Sequence, residues 1–174
     1  ITMNNYQKII QNLKPGDIIL SRVPGSPISE TIMGVTRSKW SHALMYIGNN
    51  KIIESDWGGV VIHPVTKYAN NKYELGLFRY NPELSETDIA KIIKLARKKL
   101  GIDYGWFKLL WLGFLHLIGK SEDPDWKVQL PKGMICSQLV SYAYLKAGFP
   151  LKNLPPELME PTDLDESDYT IRIA

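Results

Sequence analysis

The sequence holds a single cysteine, Cys136, among 174 residues. That scarcity excludes an internal disulfide framework and a cysteine-rich metal site. Histidines are few as well, at positions 42, 63 and 116, so any imidazole chemistry has a short list of carriers. No apolar run reaches the roughly 18–20 residues that a membrane-spanning helix needs. The longest, 106–118, is interrupted by Lys108 and His116. Internal repeats and low-complexity tracts are lacking. No secretory signal pattern opens the chain, which begins at Ile1 rather than Met, as a trimmed or mature form would. A net charge of +3 is too mild to require an anionic partner. The lysines of 91–99 alternate with apolar helix positions as a solvated face does, so nucleic-acid binding has no support.

What is present fits one domain spanning 1–174, since 44% hydrophobic residues over this length can build one sizeable core. Tyr6, Ile9 and Ile10 predict a short opening helix. Pro15-Gly16-Asp17 turns into a strand at 17–21, and residues 26–37 form a helix or an ordered loop. Strands follow at 41–47, 51–55, 60–63 and 73–80, the first two joined by a hairpin at Gly48-Asn49-Asn50. Ser85 and Asp88 are spaced as a capping box ahead of an amphipathic helix that Gly101 closes. The apolar run 106–118 predicts a buried or membrane-leaning helix, and 121–133 a polar connector. The tail, 151–174, is Pro- and acid-rich, with an edge strand at 169–173. The fold class is therefore α+β: an antiparallel sheet from about 13–80 and a helical half from about 85–150.

Cys136 opens the next helix. Leu139, Ala143 and Ala147 form one stripe with Val140 and Tyr144 beside it, and Gly148 and Pro150 stop it. At a helix start, unpaired amides and the positive end of the dipole lower a thiol's pKa. The bland alternative is a small buried hydrophobe. Thiol catalysis needs a base and a group to orient it. His42, first in its strand after Trp40-Ser41, is only a slight favourite over His63 and His116 on local sequence.

Four motifs carry a resemblance. The segment 42–55, HALMYIGNNKIIES, with Gly58-Gly59-Val60 behind it, resembles the histidine hairpin of NlpC-type papain-like peptidases. Leu13-Lys14-Pro15-Gly16-Asp17 resembles their strand entry, 100–106 their G-x-x-Y-x-W segment, and 136–144 their nucleophile helix. The motif order is that of the circularly permuted branch, with YiiX-like amidases and the lecithin:retinol acyltransferase group. The resemblance implies a permuted papain-like fold, with the antiparallel sheet packed on the nucleophile helix. It implies Cys136 as nucleophile, His42 as base, Glu54 as third member and Tyr104 as an oxyanion donor or a packing residue. Departures are Ile135 where Asp is common, Gln138 in place of glycine, and a charged Glu54.

The expectation is a cysteine-dependent amide hydrolase, a thiol protease or amidase, acting through a Cys136–His42–Glu54 triad and an acyl-enzyme, with no metal and no cofactor. Its substrate would be a small peptide, a peptidoglycan stem or a related amide. The competing readings are a lipid-directed thiol acyltransferase or lipid-amide hydrolase, with peripheral membrane contact through the apolar run, and a non-catalytic binding module. The cell envelope or export is favoured over the cytoplasm; oligomeric state is left open. Register tests the triad. A three-residue loop at 48–50 sets Leu44 opposite Glu54, diagonal to His42 on one face. A two-residue loop sets Met45 there and turns Glu54 away. Asp56 is the rival orienter.

Overall fold

The computed structural model describes residues 5–103 and 134–174. Helix α1 spans Asn5–Asn12, strand β1 Ile18–Arg22 and helix α2 Pro27–Thr36; β2 is His42–Gly48, β3 Lys51–Asp56 and β4 Gly59–Pro64. A 3-10 turn, Val65–Tyr68, leads to β5, Glu74–Tyr80, and helix α3, Glu86–Arg97. The cysteine helix α4 is Cys136–Ala147, followed by a short helix α5, Pro161–Asp165, and strand β6, Thr170–Arg172. The six strands form one antiparallel sheet in the order β4-β3-β2-β1-β5-β6. The segment 26–37 resolves as a helix, with Pro27 in its first turn, where a missing N–H costs nothing. The sequence expectation for 106–118, including Tyr104 ahead of it and the burial of Trp106, Leu109, Leu110, Leu112 and Leu115, lies outside the described residues. Among the described residues, no helix is long and apolar enough to cross a membrane.

Side chains alternate across the strands and divide the core in two. On one face Ile18, Leu20, Ala43, Met45, Ile53 and Phe78 pack against Ile92 and Ala96 of α3 and Leu139, Val140 and Ala143 of α4. On the other, Ile19, Leu44, Ile52 and Leu77 pack against Ile9 of α1 and against Val65 and Tyr68 of the 3-10 turn. Leu139 and Val140 are fully buried, each contributing about 1.5–3 kcal/mol of transfer free energy. The helical stripe read from the sequence is thus the face α4 lays on the sheet.

Three polar ties fix where the elements sit. Arg79 on β5 holds Asp17 through Nε and Nη2, both at 2.7 Å, while the Lys14 amide donates to the same carboxylate at 2.7 Å. This is the local reason for the Lys-Pro-Gly-Asp entry to β1. Tyr144 on α4 donates to the Gly16 carbonyl at 2.5 Å, joining the cysteine helix to that same turn. Gly59 has φ +92°, and a Cβ there would collide with the Ile102 carbonyl. Only glycine lets β4 reach the Gly101–Ile102 backbone, where the Val60 amide donates to the Ile102 carbonyl and the Val60 carbonyl accepts from the Gly101 amide, both at 2.9 Å.

Candidate functional site

The hairpin β2–β3 places the first two functional side chains. Its turn is the two-residue Asn49-Asn50, both left-handed at φ 52° and 56°, and Gly48 pairs with Lys51. A β-bulge at Ile47, between Tyr46 and Gly48, then shifts the register by one. Leu44 therefore stands opposite Glu54, as in the favoured register, although the turn has two residues rather than three. His42 and Glu54 consequently share a face, and His42 Nε2 lies 2.7 Å from Glu54 Oε2.

Glu54 is fully buried and serves many partners. Tyr68 donates to Oε2 at 2.6 Å and Lys67 Nζ donates to Oε1 at 2.7 Å. Burial opposes ionisation of Glu54, but bonds from His42, Lys67 and Tyr68 outweigh it and bring its pKa down to about 2. Lys67 Nζ also donates to Asp56 Oδ2 at 2.8 Å and lies 2.9 Å from His63 Nδ1. That nitrogen is also 3.1 Å from Glu54 Oε1: as a lone pair it accepts from Lys67, and as an N–H it donates to Glu54, so the ring's tautomer decides the role of Nδ1. One oxygen of Glu54, one of Asp56 and this nitrogen lie within 4.8 Å of one another.

Cys136 enters from the helix side. Its thiol is buried and hydrogen-bonds the His42 ring, with the Ala43 and Ser137 amides beside it. Burial favours the neutral thiol, yet His42 and the two amides lower its pKa. Burial likewise disfavours the imidazolium, but Cys136 and Glu54 raise the His42 pKa to about 10. Gln138, the departure two residues on, has a structural task. Its Oε1 accepts from the Ile135 amide at 3.4 Å, and its Nε2 donates to the Glu157 carbonyl at 2.7 Å. It caps α4 and ties its start to the tail.

A cavity of about 280 Å³ opens beside His42 and Glu54. Ser21, Ser29 and Ser41 form a hydroxyl wall, Tyr68 and Lys67 a second side, and Ile28 and Trp57 stand exposed at its margin.

The structure thus brings Cys136, His42 and Glu54 into contact, while Tyr104 lies outside the described residues. It also corrects the functional expectation. A thiol triad asks its third member only to hold the imidazole. Here Glu54 belongs equally to a Glu54–Asp56–His63 group whose three ligand atoms converge. That donor set, two carboxylates and an imidazole, could hold a metal ion. It overturns the reading as a self-contained, metal-free cysteine-dependent amide hydrolase with a Cys136–His42–Glu54 triad. The designations thiol hydrolase, cysteine peptidase and thiol protease go with it, as does the thiol acyltransferase alternative. Asp56, weighed only as a rival orienter of His42, bonds Lys67 and the Gly58 amide instead.

The sequence offered His63 only as a rival base to His42, and it did not point to Lys67 or Tyr68. A signal for His63 existed: Val61 pairs with Glu54, so His63, two residues on, returns to the Glu54 face. For Lys67 and Tyr68 there was none, because a 3-10 turn folding back under the hairpin has no periodic pattern to read.

Comparison with known proteins agrees with this architecture. The model of the family described as permuted papain-like amidase enzyme, YaeF/YiiX, C92, matches residues 12–109, more than half of the chain. A probable lipoprotein peptidase, YaeF of Escherichia coli (strain K12), is 27% identical over 88% of this chain. The chain spans 63% of that relative's length. A crystal structure described as the metalloprotein yiiX from Escherichia coli O157:H7 superposes with a TM-score of 0.64 at 20% identity. The match covers 92% of this chain and 96% of that one, and it shows a common fold.

Proposed function

Because this chain belongs to the permuted papain-like amidase family, we propose that it hydrolyses an amide bond at a centre where His42 adjoins a divalent-cation site built from Glu54, Asp56 and His63. The observation that carries this is the shared carboxylate of Glu54. Its Oε2 bonds His42 while its Oε1 faces Asp56 and His63, so imidazole chemistry and the cation site meet at one residue. The donor set fits a divalent ion of the zinc or manganese type, which takes imidazole nitrogen together with carboxylate oxygen. The Lys67 ammonium already stands in as a cation among these three atoms. An ion held there would supply Lewis acidity toward an amide carbonyl.

The chain's own groups do the rest. His42 is held at Nε2 by Glu54 and carries its mobile proton on the ring; being cationic near neutrality, it is an acid able to protonate the departing amine. Water adds to the carbonyl carbon, the C–N bond breaks, the amine leaves with the proton from His42, and the imidazole so left neutral takes up the proton that the added water releases. The Cys136 thiol, bonded to the same ring, restrains it from the helix side. The serine wall offers polar contacts and the Ile28–Trp57 margin apolar ones, which suits a peptide-like amide. The relative named a probable lipoprotein peptidase supports a peptide or cell-wall-linked substrate and the cell envelope as the place of work.

The test is turnover of an N-acyl dipeptide amide by chelator-stripped protein, with Mn2+ or Zn2+ restored. Activity should fall by about tenfold or more on stripping, return with the ion, and stay low in Asp56→Asn. Activity that survives both stripping and Asp56→Asn, yet vanishes on alkylation of Cys136, would overturn the proposal.

A further inference from the structure

The three donor atoms of the cation site are not idle. Lys67 Nζ sits 2.7 Å from Glu54 Oε1, 2.8 Å from Asp56 Oδ2 and 2.9 Å from His63 Nδ1. An ammonium has three N–H donors and no acceptor, so these three contacts use its whole capacity. The lysine thereby takes the position an external ion would need, since ligand bonds to such an ion are shorter still, about 2.0–2.2 Å. Two cations cannot occupy it together.

We propose that Lys67 is a built-in, displaceable cation: a divalent ion enters the Glu54–Asp56–His63 site only by exchange with the Lys67 ammonium. Two features make the exchange workable. The Lys67 side chain is 30% exposed and lines the cavity, so its ammonium has water to withdraw into. Glu54 Oε2 keeps its bonds to His42 and Tyr68 whichever cation faces Oε1, so the fully buried carboxylate is satisfied in both states. In the ion-free state Lys67 compensates two carboxylates that would otherwise repel at close range. With the ion bound, its freed ammonium lies at the cavity wall beside His42. Lys67 is therefore a positioning residue that sets how tightly and how selectively the site binds metal. The inference rests on the cation site proposed above, and its test separates the two.

The measurement is Mn2+ affinity, read from the electron paramagnetic resonance signal of the free ion, for wild type, Asp56→Asn, Lys67→Met and Lys67→Met/Asp56→Asn. Mn2+ favours oxygen and imidazole ligands over thiolate, which keeps Cys136 out of the titration. Lys67→Met should bind about tenfold tighter than wild type or better, because no charge-assisted bonds must first be broken. The added Asp56→Asn should abolish that gain. Equal affinity in wild type and Lys67→Met, both weakened by Asp56→Asn, would leave the site standing and overturn the exchange. Failure of every variant to bind Mn2+ would overturn the site and the exchange together. Should Lys67→Met not fold, Lys67→Gln, which keeps a polar group at the donors, takes its place with the same expectations.

Discussion

Glu54 concentrates the electrostatics of the molecule on one side chain. It has no solvent exposure, yet it stays ionised because His42, Lys67 and Tyr68 all donate to it. In the ion-free protein its folded pKa of about 2 lies below the ordinary 4.5. A depressed carboxyl contributes stability that is fully present above the unfolded value and is lost as pH falls through the folded one. Urea unfolding should therefore weaken steeply between roughly pH 4.5 and 2 in wild type. In Glu54→Gln this acid limb should flatten, with stability at pH 7 lower by about 3–5 kcal/mol because Lys67 and His42 lose a buried partner. An unchanged acid limb in Glu54→Gln would show that other carboxylates carry it.

At the scale of elements the hairpin β2–β3 decides the site. Were Ile47 paired in the ladder rather than bulged out of it, the two-residue turn would set Met45 opposite Glu54 and point the carboxylate away from His42. The Gly48-Asn49-Asn50 stretch was legible as a turn, and the opposition of Leu44 and Glu54 was legible as a requirement. The bulge that satisfies it was not, because Ile47 reads as any other buried strand residue. Asn49 and Asn50 occupy the left-handed conformation that asparagine and glycine tolerate best. Asn50→Ala should cost about 1–2 kcal/mol in urea unfolding, whereas Asn50→Gly should be near neutral. Equal losses in both variants would place the cost in side-chain contacts. The strands, the Ser85 cap and the cysteine helix were legible for a common reason: each follows a local period or capping rule. His63, Lys67 and Tyr68 join the site through cross-strand register and a 3-10 turn, which only the folded chain assembles.

Over the whole molecule, the sheet separates two packed layers, and the site forms where they meet at the start of β2. One layer delivers Cys136 on α4, anchored to the β1 entry by Tyr144. The other delivers Lys67 and Tyr68 on the turn after β4. His42 bonds Cys136 on one side and, on the other, Glu54, to which Lys67 and Tyr68 donate. The most direct measurement of the central claim is anomalous diffraction from crystals soaked in Mn2+ or Zn2+, recorded at the metal's absorption edge. One strong peak is expected among Glu54 Oε1, Asp56 Oδ2 and His63 Nδ1, with Lys67 Nζ swung out into the cavity. A peak at Cys136 and His42 instead, or Lys67 still seated among the three donors at saturating metal, would contradict it.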